Sequence, residues 1–336
     1  MIHLYNKNDD IVVTMTAILT TMFAILGGLI SIQTPVGLTS NINKKRKTGT
    51  SGATTTITTT TTRPSSFYPD PKTEPSKYAY EMYQTYYSPM WISMFAMIVI
   101  FQLYERWTAW EYNMYLLLLA LPCVLQPILC PSAFFHSPDA HRPLLERYST
   151  KANVWIAIYS FIGNYWYTQY FYSVLKASYS MPSTRLNNVP VAMFFATMFY
   201  FSSYHVFSNT MLRKIRTSFE AGWRRRLLYI TAIVVLSYFT AFMETLTISS
   251  FPYYSFEDRD MAYTVGSAFY GIYFLVSFPA FLEFDSQVDS TMESKRVVTL
   301  WDTVVQSCGY GMIILCSLDF VRLYLGVPLV VGGGEG

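Results

Sequence analysis

Long apolar stretches recur along this chain and constrain its fold more than anything else in the sequence. Eight runs of 17 to 23 mostly apolar residues occupy 11–32, 88–104, 112–131, 154–175, 190–207, 227–248, 263–284 and 303–325. About 20 such residues coiled as a helix cross the hydrocarbon layer of a bilayer. Composition agrees, since 52% of the 336 residues are hydrophobic and 13% charged, roughly half the charged share of a soluble domain. The prediction is an all-α, polytopic membrane helix bundle of about eight transmembrane helices. Pro122, Pro127 and Pro131 predict a kink in the third.

Charge then sets the orientation. If the amino terminus is luminal, alternate loops carry eighteen Lys and Arg on the cytosolic side against six on the luminal side. That is the asymmetry the positive-inside rule demands, and one span more or fewer in the middle would scramble it. The first run has Asp9 and Asp10 before it and Lys44, Lys45, Arg46 and Lys47 after it. It reads as an uncleaved anchor, because a signal peptide carries its basic residues in front. Residues 48–62 contain ten Thr, and Pro64, Pro69, Pro71 and Pro75 follow, a composition with no core to bury. The expected organisation is a luminal tail and anchor at 1–32, a disordered linker at 33–74, a multispan unit at 75–326 and a flexible tail at 327–336.

Several chemistries are disfavoured. Lys and Arg interleave with no nucleic-acid motif, so no nucleic-acid partner is expected. Cys123, Cys130, Cys308 and Cys316 lie in apolar runs without a C-x-x-C spacing and read as small buried hydrophobes. His3, His136, His141 and His205 are scattered, and no glycine-rich phosphate loop is present. No metal site and no cofactor are expected.

Polar side chains at membrane depth are costly unless they face the bundle interior. In LLYITAIVVLSYFTAFMETLTI (227–248), Ser237, Thr240, Glu244 and Thr247 recur at steps of three, four and three, on one helical face. Glu244 is the lone charge of that run. Without a base beside it, the carboxyl is expected to stay protonated, as a general acid must; the alternative is a hydrogen bond across helices that holds packing. Asp319, Glu105 and Gln169 fall toward the same luminal depth and Asn164 near the middle, so one polar pocket shared with Glu244 is a possible arrangement. Asp319 with Arg322 also reads as a structural ion pair, and Glu105 as an interfacial anchor.

On the cytosolic side Ser202, His205, Asn209, Arg213 and Arg216 follow at helical spacing. His205 is a candidate acid or base, or a histidine bonded to a neighbouring carbonyl. Run 154–175 packs nine aromatics into 22 residues, with Ser160, Asn164 and Thr168 at i,i+4 spacing. Inward-facing rings such as Tyr165 and Trp166 would form a flat slot able to stabilise a carbocation, or simply pack. Ser267 and Gly271 form a small-x-x-x-small surface for close helix contact.

Six segments carry more identity than composition explains: PSKYAYEMYQTYYSPMW with LYERWTAWEY (75–91 and 103–112), KANVWIAIYSFIGNYWYTQYFYSVLKASYSMPSTRLNNVP (151–190), SYHVFSNTMLRKIR (203–216), LSYFTAFMETLTISSFPYYSFEDR (236–259) and GSAFYGIYFLVSFPAFL (266–282). Together they resemble the cycloeucalenol cycloisomerase family, over about residues 75–326. The resemblance implies seven helices in the family core plus an added anchor. It also implies an isomerase of sterol biosynthesis in the endoplasmic reticulum membrane that opens the 9β,19-cyclopropane ring of cycloeucalenol to give obtusifoliol. Its partners would be the cyclopropyl sterol and membrane lipids. Positions fitting the family pattern include Glu105, Arg106, Lys151, Asn153, Asn164, Asn187, Asn188, His205, Asn209, Arg213, Glu244, Asp258, Arg259, Asp319 and Arg322. The Thr-rich extension departs from that pattern, and so does Gln169, where a histidine is expected.

The chemistry suits this inventory, because a strained carbon-carbon bond is protonated at carbon 19, a cation forms at carbon 9 and a proton leaves carbon 8. The expected catalytic residues are Glu244 as proton donor, Asp319 and Asn164 to position it, and His205 and Glu105 as further candidates. Tyr165, Trp166, Gln169 and Thr240 are expected to bind substrate. Two other classes fit the same residues: another sterol double-bond isomerase, and a multispan sterol-binding protein or carrier.

Overall fold

The computed structural model describes residues 2–36, 65–248, 251–288 and 297–331. Most of the expected linker, at 37–64, and the end of the expected tail, at 332–336, lie outside the described residues. Eight helices of fifteen or more residues are present among the described residues: α1 Ile2–Ser31, α2 Pro75–Ile100, α3 Ala109–Leu129, α4 Tyr148–Ile162, α5 Val191–Ser218, α6 Trp223–Ile248, α7 Ser267–Gln287 and α8 Leu300–Tyr324. Local chemistry marks their starts. Pro75 opens α2, and capping boxes pair Thr108 with Glu111 at α3 and Thr299 with Asp302 at α8. Pro122 and Pro127 lie inside α3.

Among the described residues five helical segments are long and apolar enough to cross a membrane: Val13–Ser31, Ala109–Leu129, Trp223–Thr247, Ala262–Gln287 and Leu300–Tyr324. The eight sequence runs are thus matched by eight helices, of which α2, α4 and α5 fall outside this apolar set. Helix α4 is only fifteen residues long before its helix changes type at Gly163, and all three helices carry inward polar side chains. Lys77, Glu81 and Gln84 on α2, Lys151 and Asn153 on α4, and His205 and Asn209 on α5 are all buried within the bundle.

The core is an aromatic stack shared by α4, α5 and α7. Trp155 stacks on Tyr159 and meets Phe281, Tyr159 meets Phe201, and Phe201 leads through Phe274 to Phe278, with successive ring centroids 5.0 to 6.1 Å apart. Offset and edge-on ring pairs contribute beyond the area they bury. Helices α6 and α7 approach closely at Gly271, where a Cβ would sit 3.5 Å from the Ser237 carbonyl oxygen. The small-residue surface read from the sequence is used there. The cysteine reading needs correction: Cys123 is buried, but Cys130, Cys308 and Cys316 are exposed. Apolar surroundings in a membrane helix include its lipid-facing side, so an apolar run does not imply an interior position.

Beyond Ile162, α4 continues through two π-helical stretches, Gly163–Tyr167 and Phe171–Leu175. It then enters strand β1 Ala177–Tyr179, which pairs antiparallel with β4 Tyr254–Phe256. Strands β2 Arg185–Leu186 and β3 Val189–Pro190 form a hairpin turned by Asn187 and Asn188, both at positive φ, the backbone a two-residue hairpin loop requires. Gln169 and Asn187 tie this hairpin to α4, through Gln169 Nε2 to the Asn187 carbonyl at 2.9 Å and Asn187 Nδ2 to the Tyr165 carbonyl at 2.6 Å.

Both described ends of the linker pack against the carboxyl end of α5. The Val36 amide donates to the Ser218 carbonyl, Ser65 Oγ meets Ser218 Oγ at 2.7 Å, and Lys214 lies over the Phe67 ring. At the same end a buried ionic cluster joins α2, α5 and α7. The Arg213 guanidinium donates to both oxygens of Glu81 at 2.6 and 2.7 Å and to Asp285 Oδ2 at 3.2 Å. Tyr148 Oη donates to Asp285 Oδ1 at 2.7 Å, and Lys77 donates to the Asp285 carbonyl.

Candidate active site

Because α5 and α6 are joined by a turn of only four residues, they run antiparallel and set the last turns of α6 against the first half of α5. Tyr200 and Tyr204 of α5 then stand opposite Glu244. The Glu244 side chain is buried, and its Oε2 has no hydrogen-bond partner. The hydroxyls of Tyr204 on α5 and Tyr270 on α7 face the same carboxyl. An inward carboxyl that lacks a base, has one oxygen free and stands among phenols has the makings of a proton donor.

Glu244 and Tyr200 form a partition between two cavities. The larger measures about 610 Å³ and is lined by α2, α5 and α6, with Trp91, Phe95, Tyr204, Phe239, Thr240 and Met243 among its walls. That volume falls in the range of pockets that hold drug-sized ligands. It runs along α2 from Thr85 to Ile100, a rise of about 22 Å at 1.5 Å per residue. Trp91 and Tyr200 are 4.7 Å apart, and Phe95 and Tyr200 5.6 Å, so aromatic faces flank the carboxyl level. Ile92, Phe207 and Met243 line the cavity yet are exposed, which opens it sideways through the apolar outer surface. The smaller cavity, about 70 Å³, is lined by Glu244 together with Asn164, Thr168, Tyr254 and Tyr270.

The structure brings together only some of the residues singled out in the sequence. Glu244 and Thr240 share the large cavity, and Glu244 and Asn164 the small one. Asn164 Nδ2 is held by the Ser160 carbonyl at 2.9 Å and Thr197 Oγ1 at 2.7 Å. The others lie elsewhere. Asp319 is partly exposed on α8 and pairs with Arg322 at 2.7 Å, the structural alternative noted from its spacing. Glu105 is exposed on a short turn after α2. His205 is fully buried behind α5, with Nδ1 on the Phe201 carbonyl at 2.7 Å and Nε2 on Ser277 Oγ at 3.0 Å. Trp166 points outward, Tyr165 packs on Phe161 and Trp166, and Gln169 holds the hairpin.

Sequence reasoning missed Tyr200, Tyr204 and Tyr270, which surround the carboxyl, as well as Trp91 and the Ser88–Ser203 pair in the large cavity. It also missed Glu81 and Asp285. Their signal was available, since an inward Arg213 at helical spacing calls for a buried carboxylate partner. Among the described residues no three or more His, Cys, Asp or Glu side chains gather to hold a metal ion.

No protein-family profile matches the chain, and no solved structure matches it. Cycloeucalenol cycloisomerase of Arabidopsis thaliana is 40% identical over 272 residues, which span 77% of this chain and 90% of that enzyme. Identity at that level over nearly the whole of the relative extends across all the helices that build the cavity. The chain belongs to the cycloeucalenol cycloisomerase family.

Proposed function

We propose that this protein opens the 9β,19-cyclopropane ring of a cyclopropyl sterol, converting cycloeucalenol to obtusifoliol, with Glu244 as the proton donor. One observation carries the reading: Glu244, buried and with a free carboxyl oxygen, stands on the wall of a 610 Å³ apolar cavity that opens sideways toward lipid. A four-ring alcohol dissolved in the bilayer matches that cavity in size and polarity.

The step balances without an oxidant or reductant. Glu244 gives its proton to carbon 19 as the C9–C19 bond breaks, and the electron pair of that bond becomes the new C–H bond. The cation left at carbon 9 is offset by the faces of nearby rings such as Tyr200, Tyr204 and Trp91. Loss of the carbon 8 proton to the Glu244 carboxylate then forms the C8–C9 double bond and restores the acid. Tyr204 and Tyr270 share the transient negative charge through their hydroxyls. Asn164 braces the wall behind the carboxyl. Exclusion of water by the bundle keeps the acid from leaking its proton elsewhere.

In this reading all eight helices cross the membrane of the endoplasmic reticulum, with the amino terminus luminal and the Arg213 end cytosolic. Residues 75–326 form the catalytic unit and residues 1–32 an added anchor. The basic loops support that orientation. A glycosylation acceptor fused ahead of Met1 should be modified, and one placed at 219–222 should not; the reverse pattern overturns the orientation.

Sterol profiles test the function. Cells lacking the protein should accumulate 9β,19-cyclopropyl sterols, which the restored protein clears and Glu244→Gln, at equal protein level, does not. Accumulation of 8,9-unsaturated sterols instead would point to a different isomerase, and unchanged sterols to a carrier. Normal turnover by Glu244→Gln would remove Glu244 from its role.

A further inference from the structure

The large cavity is not uniform along its length. Toward its Thr85 end the walls carry Ser88, Ser203, Thr240 and Thr210. Toward its Ile100 end the α2 wall is Ile92, Phe95, Ala96, Val99 and Ile100. The single hydroxyl on the α6 wall at that apolar end, Thr247, turns back on its own helix, to the Met243 and Glu244 carbonyls at 3.0 and 2.9 Å. At the other end Ser88 and Thr210 also turn back, to the Gln84 and Phe207 carbonyls at 2.7 Å each, but Ser203 is engaged across helices. Ser203 Oγ lies 2.8 Å from Trp91 Nε1 and 2.8 Å from Ser88 Oγ. An indole N–H only donates, and the Ser88 proton goes to the Gln84 carbonyl, so Ser203 accepts from Trp91 and its own proton is given to Ser88 or to a ligand.

Spacing adds a second constraint. Thr240 precedes Glu244 by four residues on the same face and lines the same cavity, so its hydroxyl stands about one 5.4 Å helical pitch from the carboxyl. In a 9β,19-cyclopropyl sterol, carbon 19 and the ring-A hydroxyl are separated by one ring, a distance of about that same pitch.

We infer that the sterol lies in this cavity with its ring-A hydroxyl bonded at Thr240 and the Ser88–Ser203 pair, and with its alkyl tail toward Ile100. This orientation rests on the reading of Glu244 as proton donor and adds to it the polar anchor that sets the reacting bond beside the carboxyl. A sterol turned end for end would place its hydroxyl among Phe95, Val99 and Ile100, side chains that offer it no polar partner. The anchor therefore selects one of two orientations in a slot whose shape alone would admit both.

The test uses full-length protein purified in detergent, a 9β,19-cyclopropyl sterol with a free 3-hydroxyl, and its 3-deoxy analogue. The unmodified protein should favour the alcohol in kcat/KM by about tenfold, the effect of one or two hydrogen bonds. Thr240→Val and Ser203→Ala should each shrink that preference, together abolishing it, by losing more kcat/KM on the alcohol than on the deoxy analogue. Ser203→Ala also removes the acceptor of the Trp91 indole, so Thr240→Val, a near-isosteric change, is the decisive single variant. Three outcomes overturn the inference: no preference in the unmodified protein, equal loss on both substrates in variants, or loss of preference on Thr247→Val in place of Thr240→Val. Direct binding of the alcohol to Glu244→Gln separates the two readings. Binding that Thr240→Val weakens supports the anchor even if the acid proves to be another residue.

Discussion

Tyr204 and His205 are adjacent on α5 yet serve opposite sides of it: Tyr204 faces the Glu244 carboxyl in the large cavity, while His205 is enclosed by Trp155, Tyr159, Phe278 and Phe281. Successive residues of a helix are turned by about 100°, so two polar neighbours read off one sequence segment need not share a site. The ring of His205 has both nitrogens engaged, on the Phe201 carbonyl and Ser277, and Ser277 in turn lies 3.2 Å from Tyr159 Oη. A carbonyl only accepts, so Nδ1 carries the proton and Nε2 accepts from Ser277.

The two residues should therefore fail differently. Tyr204→Phe keeps the ring and removes the hydroxyl that faces the carboxyl; at about 0.5–1.5 kcal/mol for one such polar contact, turnover per folded molecule should fall about two- to tenfold. His205→Ala empties a buried aromatic cage and strands Ser277, and should lower thermal stability by about 2–4 kcal/mol. Conversion of cyclopropyl sterol normalised to folded protein, beside a thermal melt in detergent, separates them. A folded His205→Ala protein with turnover down by a hundredfold or more would instead make the imidazole part of the chemistry.

The buried ionic cluster predicts a second asymmetry. Arg213 neutralises two carboxylates, Glu81 and Asp285, that are almost inaccessible to solvent. Removing it with Arg213→Met leaves both without their partner and should cost about 3–5 kcal/mol. Adding Glu81→Gln and Asp285→Asn to that variant should recover part of the loss, because no buried charge then lacks a counter-ion. A melt of Arg213→Met at the unmodified temperature would show that water reaches the cluster.

How much of this was legible beforehand divides along physical lines. Apolar length gave the helices, and the three-four-three spacing of Ser237, Thr240, Glu244 and Thr247 gave the inward face of α6, because both are properties of one segment. Which neighbour that face meets depends on packing between segments, and there the aromatic density of 154–175 pointed to the wrong wall. Two π-helical stretches, Gly163–Tyr167 and Phe171–Leu175, hold more residues per turn than an α-helix and shift the direction of every later side chain. Trp166 consequently faces outward while Asn164 and Thr168 face in. The cavity rings come instead from Trp91, Phe95, Tyr200 and Tyr204, in helices whose aromatics were unremarked because they are interleaved with polar residues.

Glycine positions on α8 give a sharper test of packing against α4. A Cβ on Gly311 would lie 2.8 Å from Ile162 Cδ1 and 3.2 Å from Tyr167 Oη, whereas one on Gly309 meets nothing within 4 Å. Tyr167 Oη also donates to the Gly311 carbonyl at 2.9 Å. Gly311→Ala should therefore destabilise by about 1–3 kcal/mol through overpacking. Gly309→Ala should cost nothing measurable and serves as the matched control in the same melt.

Truncation from the amino terminus should show where the catalytic unit begins. Helix α1 is mostly exposed along its apolar length and meets α6 at the edge-on pair Phe23–Phe239, with centroids 5.7 Å apart. The cavity walls come from α2, α5 and α6, so loss of residues 1–64 should leave turnover per folded molecule within about a factor of three of the full chain. Residues 65–74 are different. Tyr68 lines the large cavity, the Phe67 carbonyl accepts from Arg213 at 3.0 Å, and Ser65 and Ser66 bond to α5. Loss of residues 1–74 should therefore lower stability by about 1–3 kcal/mol, since it removes several hydrogen bonds at once, and should lower turnover as well. Equal behaviour of the two truncations would mean that this strap adds nothing to the bundle, and that the unit begins at the first turn of α2, as the run of prolines before it suggests.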